Sequence, residues 1–275
     1  MKKFVKWAAV IIGFPILMFF ISWGMLLVTT KPSNDRDWSN DLAVLPYADF
    51  NGNLVTIHNV RNFKYKDVLD FTPGYYDKTF DLNTIKSVDF IVEPFSTLAA
   101  HTFLAFGFED GSYIDISVEI RREKGEFFDG LKGLFRNYEI TYVVSDEHDV
   151  LKLRTNYRKD DVYLYPIPTS EEKVRALFVD MLTRVNKLRT TPEFYNSLTN
   201  NCTTNIVKHV NTINPKRIPW SYKYVFPSYS DELALEIGLI KGEGTIDQIR
   251  AQYLITPLAQ KYGDSSDFSA KIRGK

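Results

Sequence analysis

Apolar residues follow three successive rhythms along this chain. The first is an unbroken run at residues 7–28 (WAAVIIGFPILMFFISWGMLLV), preceded by Lys2, Lys3 and Lys6. A helix rises about 1.5 Å per residue, so roughly 20 apolar residues cover a hydrocarbon core of about 30 Å. The run is longer than the ~7–15 apolar residues of a secretory signal and lacks a small-residue cleavage site, so it predicts a retained transmembrane helix within residues 1–30. Basic residues before the span, against mixed charges after it, predict a cytoplasmic N-terminus and a domain outside, in a single-pass membrane protein. Residues 31–45, polar and turn-rich at the start, read as a tether.

The second rhythm is alternation. Residues 54–58 (LVTIH), 85–92 (IKSVDFIV), 101–108 (HTFLAFGF), 112–120 (SYIDISVEI), 138–144 (YEITYVV) and 161–165 (DVYLY) predict strands of a meander-like antiparallel sheet. A three-residue Glu109-Asp110-Gly111 loop would set Phe108 against Ser112 and His101 against Glu119; a two-residue turn would put Glu119 on the other face.

The third rhythm is helical. A capping box of Thr169 and Glu172 opens a stripe of Val174, Leu177, Phe178, Met181, Leu182, Val185 and Leu188. Thr191-Pro192 predicts a short helical turn through Phe194 and Tyr195, and residues 202–210 form another helix that begins at Cys202. Two further helices are expected between residues 231 and 260. The predicted class is α+β, an antiparallel sheet packed against helices, with a domain over residues 46–225, C-terminal helices over 226–262 and a flexible tail over 263–275.

Charge and cysteine usage narrow the chemistry. With 34 basic and 34 acidic residues, the balance argues against a nucleic-acid partner. No His-x-x-x-His or Cys-x-x-Cys spacing suggests a metal site, and no cofactor motif is found. The lone cysteine, Cys202, excludes an internal disulfide and leaves two readings: a small buried residue, or a nucleophile whose thiolate is favoured by the helix start. In the second reading Asn201 caps the helix and its amide is a candidate oxyanion donor. Of four histidines, His209 lies about 10 Å along the helix from Cys202, His148 reads as a loop residue and His58 as structural. His101, opening a strand, is the candidate base, and Glu119 the candidate that orients it.

The stretches AHTFLAFGFEDGSYIDISVEIRRE (residues 100–123), LKGLFR (131–136), RTNYR (154–158) and FYNSLTNNCTTN (194–205) resemble the Lnb N-terminal periplasmic domain family of bacteria. That family is marked by one histidine and an Asn-Cys-Thr motif, here His101 and Asn201, Cys202 and Thr203. A remoter likeness, in the order His101, Glu119, Cys202, is to circularly permuted papain-like folds, which include cell-wall amide hydrolases and thiol-dependent lipid acyl hydrolases or transferases. The resemblance implies a periplasmic thiol hydrolase or acyltransferase acting on an amide, ester or thioester, with a lipid, lipoprotein or peptidoglycan substrate. The alternative is a non-catalytic envelope module with a structural cysteine.

Overall fold

The computed structural model describes residues 2–274, without the side chains of residues 2–6, 8–10, 26 and 27. Helix α1 (Lys2–Thr29) carries Pro15 in its interior without a break. The predicted span at residues 7–28 extends over side chains outside the described residues. Among the described residues, no helix is long and apolar enough to cross a membrane.

Among the described residues ten strands follow: β1 (Tyr47–Asn51), β2 (Leu54–Arg61), β3 (Lys64–Tyr65), β4 (Phe71–Thr72), β5 (Tyr75–Asp81), β6 (Ile85–Pro94), β7 (Ala100–Phe108), β8 (Tyr113–Arg121), β9 (Glu139–Asp146) and β10 (Tyr163–Pro166). The main sheet runs β1-β2-β9-β8-β7-β6-β10, with β5 also pairing with β2. The meander from β6 to β9 is antiparallel as the alternation predicts, but Arg61 pairs with Ser145 in parallel, so the sheet is mixed. At the β7–β8 turn Gly111 adopts φ of 79°, and the Phe108 N–H donates to the Ser112 carbonyl at 2.9 Å. That is the three-residue loop geometry, since only glycine enters the left-handed region without a Cβ clash.

Helices α2 (Glu147–Lys152), α3 (Glu171–Thr190), α4 (Cys202–Ile213), α5 (Tyr222–Val225), α6 (Ser230–Glu236), α7 (Ile246–Tyr253), α8 (Thr256–Tyr262) and α9 (Phe268–Lys271) divide between the two faces. On one face α3 buries its whole predicted stripe, from Val174 to Leu188, with α4 beside it. Its cap is Ser170, one residue later than Thr169. On the other face a smaller core joins Ile91, Phe103, Ala105 and Leu164 to Val150, Leu151, Ile255, Ala259 and Phe268.

Three stretches differ from the sequence reading. Residues 31–45 pack on the domain: Trp38 and Leu42 are buried, Arg121 stacks over the Trp38 ring at 4.3 Å, and the Ser33 N–H donates to Glu139. Instead of a helical turn, Phe194 bridges to Glu139 and the Tyr195 N–H donates to the Tyr138 carbonyl, extending the edge of β9. Sheet pairing satisfies more backbone there than one helical turn could. The predicted flexible tail is anchored by buried Phe268 and Ile272 and by Arg273, which pairs with Asp89 and Glu147.

Candidate functional site

Cys202 is the first residue of α4. Asn201 caps it in a reciprocal box: its side chain accepts from the Thr204 N–H at 2.8 Å, while its own N–H donates to Thr204 Oγ1 at 2.8 Å. The candidate oxyanion role of Asn201 is not supported, because its amide nitrogen donates to the Ser197 and Val225 carbonyls at 2.8 and 3.1 Å. The amide is fixed in the loop and points its protons at carbonyls. The Cys202 and Thr203 N–H groups belong to the first turn and have no intrahelical acceptor.

The thiol sits 3.8 Å from the Ala100 carbonyl and 3.8 Å from Thr203 Oγ1, and its side chain belongs to the larger core. Thr102 and Thr203 hydroxyls meet at 2.9 Å. Ala100 and Thr102 therefore face α4. Strand side chains alternate, so His101 between them points to the opposite face. Its ring stacks on Phe103 at 5.6 Å, within the second core. The His101 and Thr102 side chains thus leave β7 in opposite directions, and the contacts of His101 and Cys202 do not include one another.

What His101 does join is a network under α2 and the wider turn of helix that continues it through Leu153–Arg158. His101 Nε2 lies 2.6 Å from Ser117 Oγ, which donates to Glu119 Oε1 at 2.9 Å; Glu119 Oε1 is 3.7 Å from His101 Nε2. Because the one hydroxyl proton goes to the carboxylate, the imidazole must donate through Nε2. Arg154 closes the network, donating to Glu93 at 2.7 Å and Glu119 at 3.2 Å over the Phe103 ring. A neighbouring buried pair, Arg61 and Asp149, is bidentate at 2.8 and 3.0 Å, with Tyr65 and the Phe63 N–H also on Asp149.

The electrostatics follow from this packing. Burial, reinforced by Arg154, lowers the His101 pKa to about 3, so the ring is neutral. Burial also works against the Glu119 charge, but Arg154 and Arg61 outweigh it and hold that carboxyl below the usual range. His101 and Glu119 do share a face, yet Glu119 approaches the same ring nitrogen as Ser117 rather than orienting the far one.

The remaining histidines are also engaged. His209, between Asp180 at 2.6 Å and the Tyr142 hydroxyl at 2.7 Å, is buried. That constellation escapes sequence reasoning because Tyr142, Asp180 and His209 come from three separate elements; only the α3 and α4 periods hint at the meeting. His58 bonds Asp77 and Asp49, and His148 bonds Asp146 and the Ser265 carbonyl. Among the described residues, no group of three or more His, Cys, Asp or Glu is placed to hold a metal ion. An apolar cavity of about 210 Å³ lies between the sheet and α3, α4 and α6, lined among others by Leu104, Leu177, Thr203, Ile206 and Leu233 but not by Cys202.

Fold and site define an α+β domain with a mixed sheet, a helix that opens at a capped cysteine, and a buried histidine–carboxylate–arginine network. The family model described as the Lnb N-terminal periplasmic domain matches residues 71–228, more than half of the chain, and the protein belongs to that family. No curated protein and no solved structure matches it.

Proposed function

We propose that this is a single-pass inner-membrane protein, anchored by α1, whose periplasmic domain is a non-catalytic interaction module with Cys202 as a packing residue. The observation that supports the reading is the burial of Cys202 in the larger core, where its contacts are the Ala100 carbonyl and the Thr203 hydroxyl rather than an imidazole. Lys2, Lys3 and Lys6 before the apolar run support the orientation, as does the periplasmic family.

A second reading keeps thiol chemistry: a hydrolase or acyltransferase, of permuted papain-like descent, acting on an amide, ester or thioester of a lipid, lipoprotein or peptidoglycan. It is favoured by the first-turn position of Cys202, where the N–H groups have no intrahelical acceptor and suit an oxyanion. Its base would be His101, which follows the Ala100 whose carbonyl lies 3.8 Å from the thiol. Intact membranes treated with a cysteine-directed acyl-thioester probe separate the two. The module reading expects the chain's mass to stay unchanged until denaturation; an acyl adduct on Cys202 of the native chain establishes the second reading. A periplasm-dependent reporter fused after Lys275 should be active, and cytoplasmic activity would overturn the topology.

A further inference from the structure

Six large apolar side chains stand exposed on three loops of the domain. Phe95 and Leu98 lie between β6 and β7, Phe127, Phe128 and Leu131 between β8 and β9, and Leu198 just before α4; Phe127 is 75% and Leu131 72% exposed. The loops form one surface. The Phe95 and Phe128 rings meet edge to face at 6.1 Å, and Ser197 Oγ donates to the Gly130 carbonyl at 2.7 Å. Contiguous exposed apolar side chains of this kind mark an interaction surface.

The position of α1 identifies what covers it. The Trp23 ring packs on Phe135, at the end of the β8–β9 loop, with centroids 4.9 Å apart, and Arg136 Nη1 donates to the Thr30 carbonyl at 3.3 Å. At about 1.5 Å per residue, Trp23 lies roughly 7–8 Å before the end of the apolar run, the depth at which indole rings favour the membrane interface. Phe135 and Arg136, at the end of that loop, are therefore held beside the last turns of α1, within about 8 Å of the end of the apolar run. A side chain exposed there meets lipid headgroups and upper acyl chains rather than bulk water.

We infer that the loops carrying Phe95, Leu98, Phe127, Phe128, Leu131 and Leu198 seat the domain on the outer leaflet of the membrane that α1 crosses. The inference rests on the reading of α1 as a span and deepens it: the domain's own surface is a second lipid contact, and binding through two linked contacts is far stronger than through either alone. It also sets the orientation of the module. The loop ending at Leu198 leads into Cys202, and the loop of Phe95 and Leu98 leads into Ala100 and His101, so the starts of α4 and β7 face lipid.

The test uses the full chain in nanodiscs of phosphatidylethanolamine and phosphatidylglycerol. A nitroxide is placed by Phe127→Cys or Leu131→Cys in a Cys202→Ser background, with Leu69→Cys, on the exposed β3–β4 turn, as the aqueous reference and Ile16→Cys as the reference in α1. Labels at 127 and 131 should gain oxygen access and lose access to a water-soluble nickel chelate relative to position 69. Values equal to those at 69, with position 16 in hydrocarbon, would overturn the seating while leaving the anchor intact. An aqueous position 16 overturns both. Protection from both reagents with spin–spin broadening at 131 would assign the patch to a second copy and also overturn the proposal. Photo-crosslinking from benzoylphenylalanine at position 127, with Cys202 intact, supplies an independent readout: a lipid adduct is expected, and its absence contradicts the inference.

Discussion

His101 owes its neutral state to burial and to Arg154, and this makes its contribution to stability pH-dependent. With a folded pKa of about 3 against an ordinary value near 6.5, the unfolded chain takes up a proton that the folded one refuses as pH falls through that window. The contribution is therefore complete above about pH 6.5 and declines toward pH 3. Glu119 acts in the same direction lower down: its depressed pKa contributes stability above its ordinary titration range that is lost in acid. Unfolding of the full chain in detergent from pH 7.5 to 5, wild type beside His101→Gln, should show the two stabilities converging as pH falls; a constant difference would contradict a neutral buried ring. Arg154 is the keystone of the same network, the partner of Glu93 and Glu119. Removing one member of a buried ionic group leaves charge uncompensated, so Arg154→Leu should destabilise by roughly 3–5 kcal/mol in the same assay.

At the scale of elements, the start of α4 and the β7–β8 hairpin show how local chemistry sets the site. Asn201 contributes the cap and two amide bonds to the loops on either side. Loss of a cap costs about 1–2 kcal/mol. Asn201→Ala should therefore lower stability by at least that amount, measured by thermal unfolding, whereas Asn201→Asp keeps the cap and should recover part of it.

These elements were legible because their signals are local. The Glu109-Asp110-Gly111 loop sets the register that puts His101 and Glu119 on one face, and the three-and-four spacing of α3 marks its buried stripe. The partner of His101 across the sheet-to-helix junction was not legible, because strand parity decides it. His101 is one residue away from Ala100 and Thr102, both of which face α4, and a shift of one residue reverses the face. Polar composition likewise hid the packing of residues 31–45 and of the C-terminal segment. There the decisive contacts are long-range ones: Trp38 under Arg121, and Arg273 on Asp89 and Glu147.

At the scale of the whole molecule, the C-terminal segment closes the second face. Truncation after Tyr262 would remove buried Phe268 and Ile272 and strip Arg273 from two buried carboxylates, each an effect of several kcal/mol. Against a typical total of about 5–15 kcal/mol, the truncated chain is expected not to fold, read as loss of protease resistance. The two side chains also sit in chemically different surroundings, Cys202 in the apolar larger core and His101 among Ser117, Glu119 and Arg154. The most direct test of that difference is the rate of iodoacetamide labelling of the native full chain against pH, wild type beside His101→Ala. The expected result is slow labelling with the same pH dependence in both, and full reaction only after denaturation. Rapid labelling near neutral pH that slows in His101→Ala would show that the two side chains meet, contradicting the structure and returning the protein to the thiol enzymes.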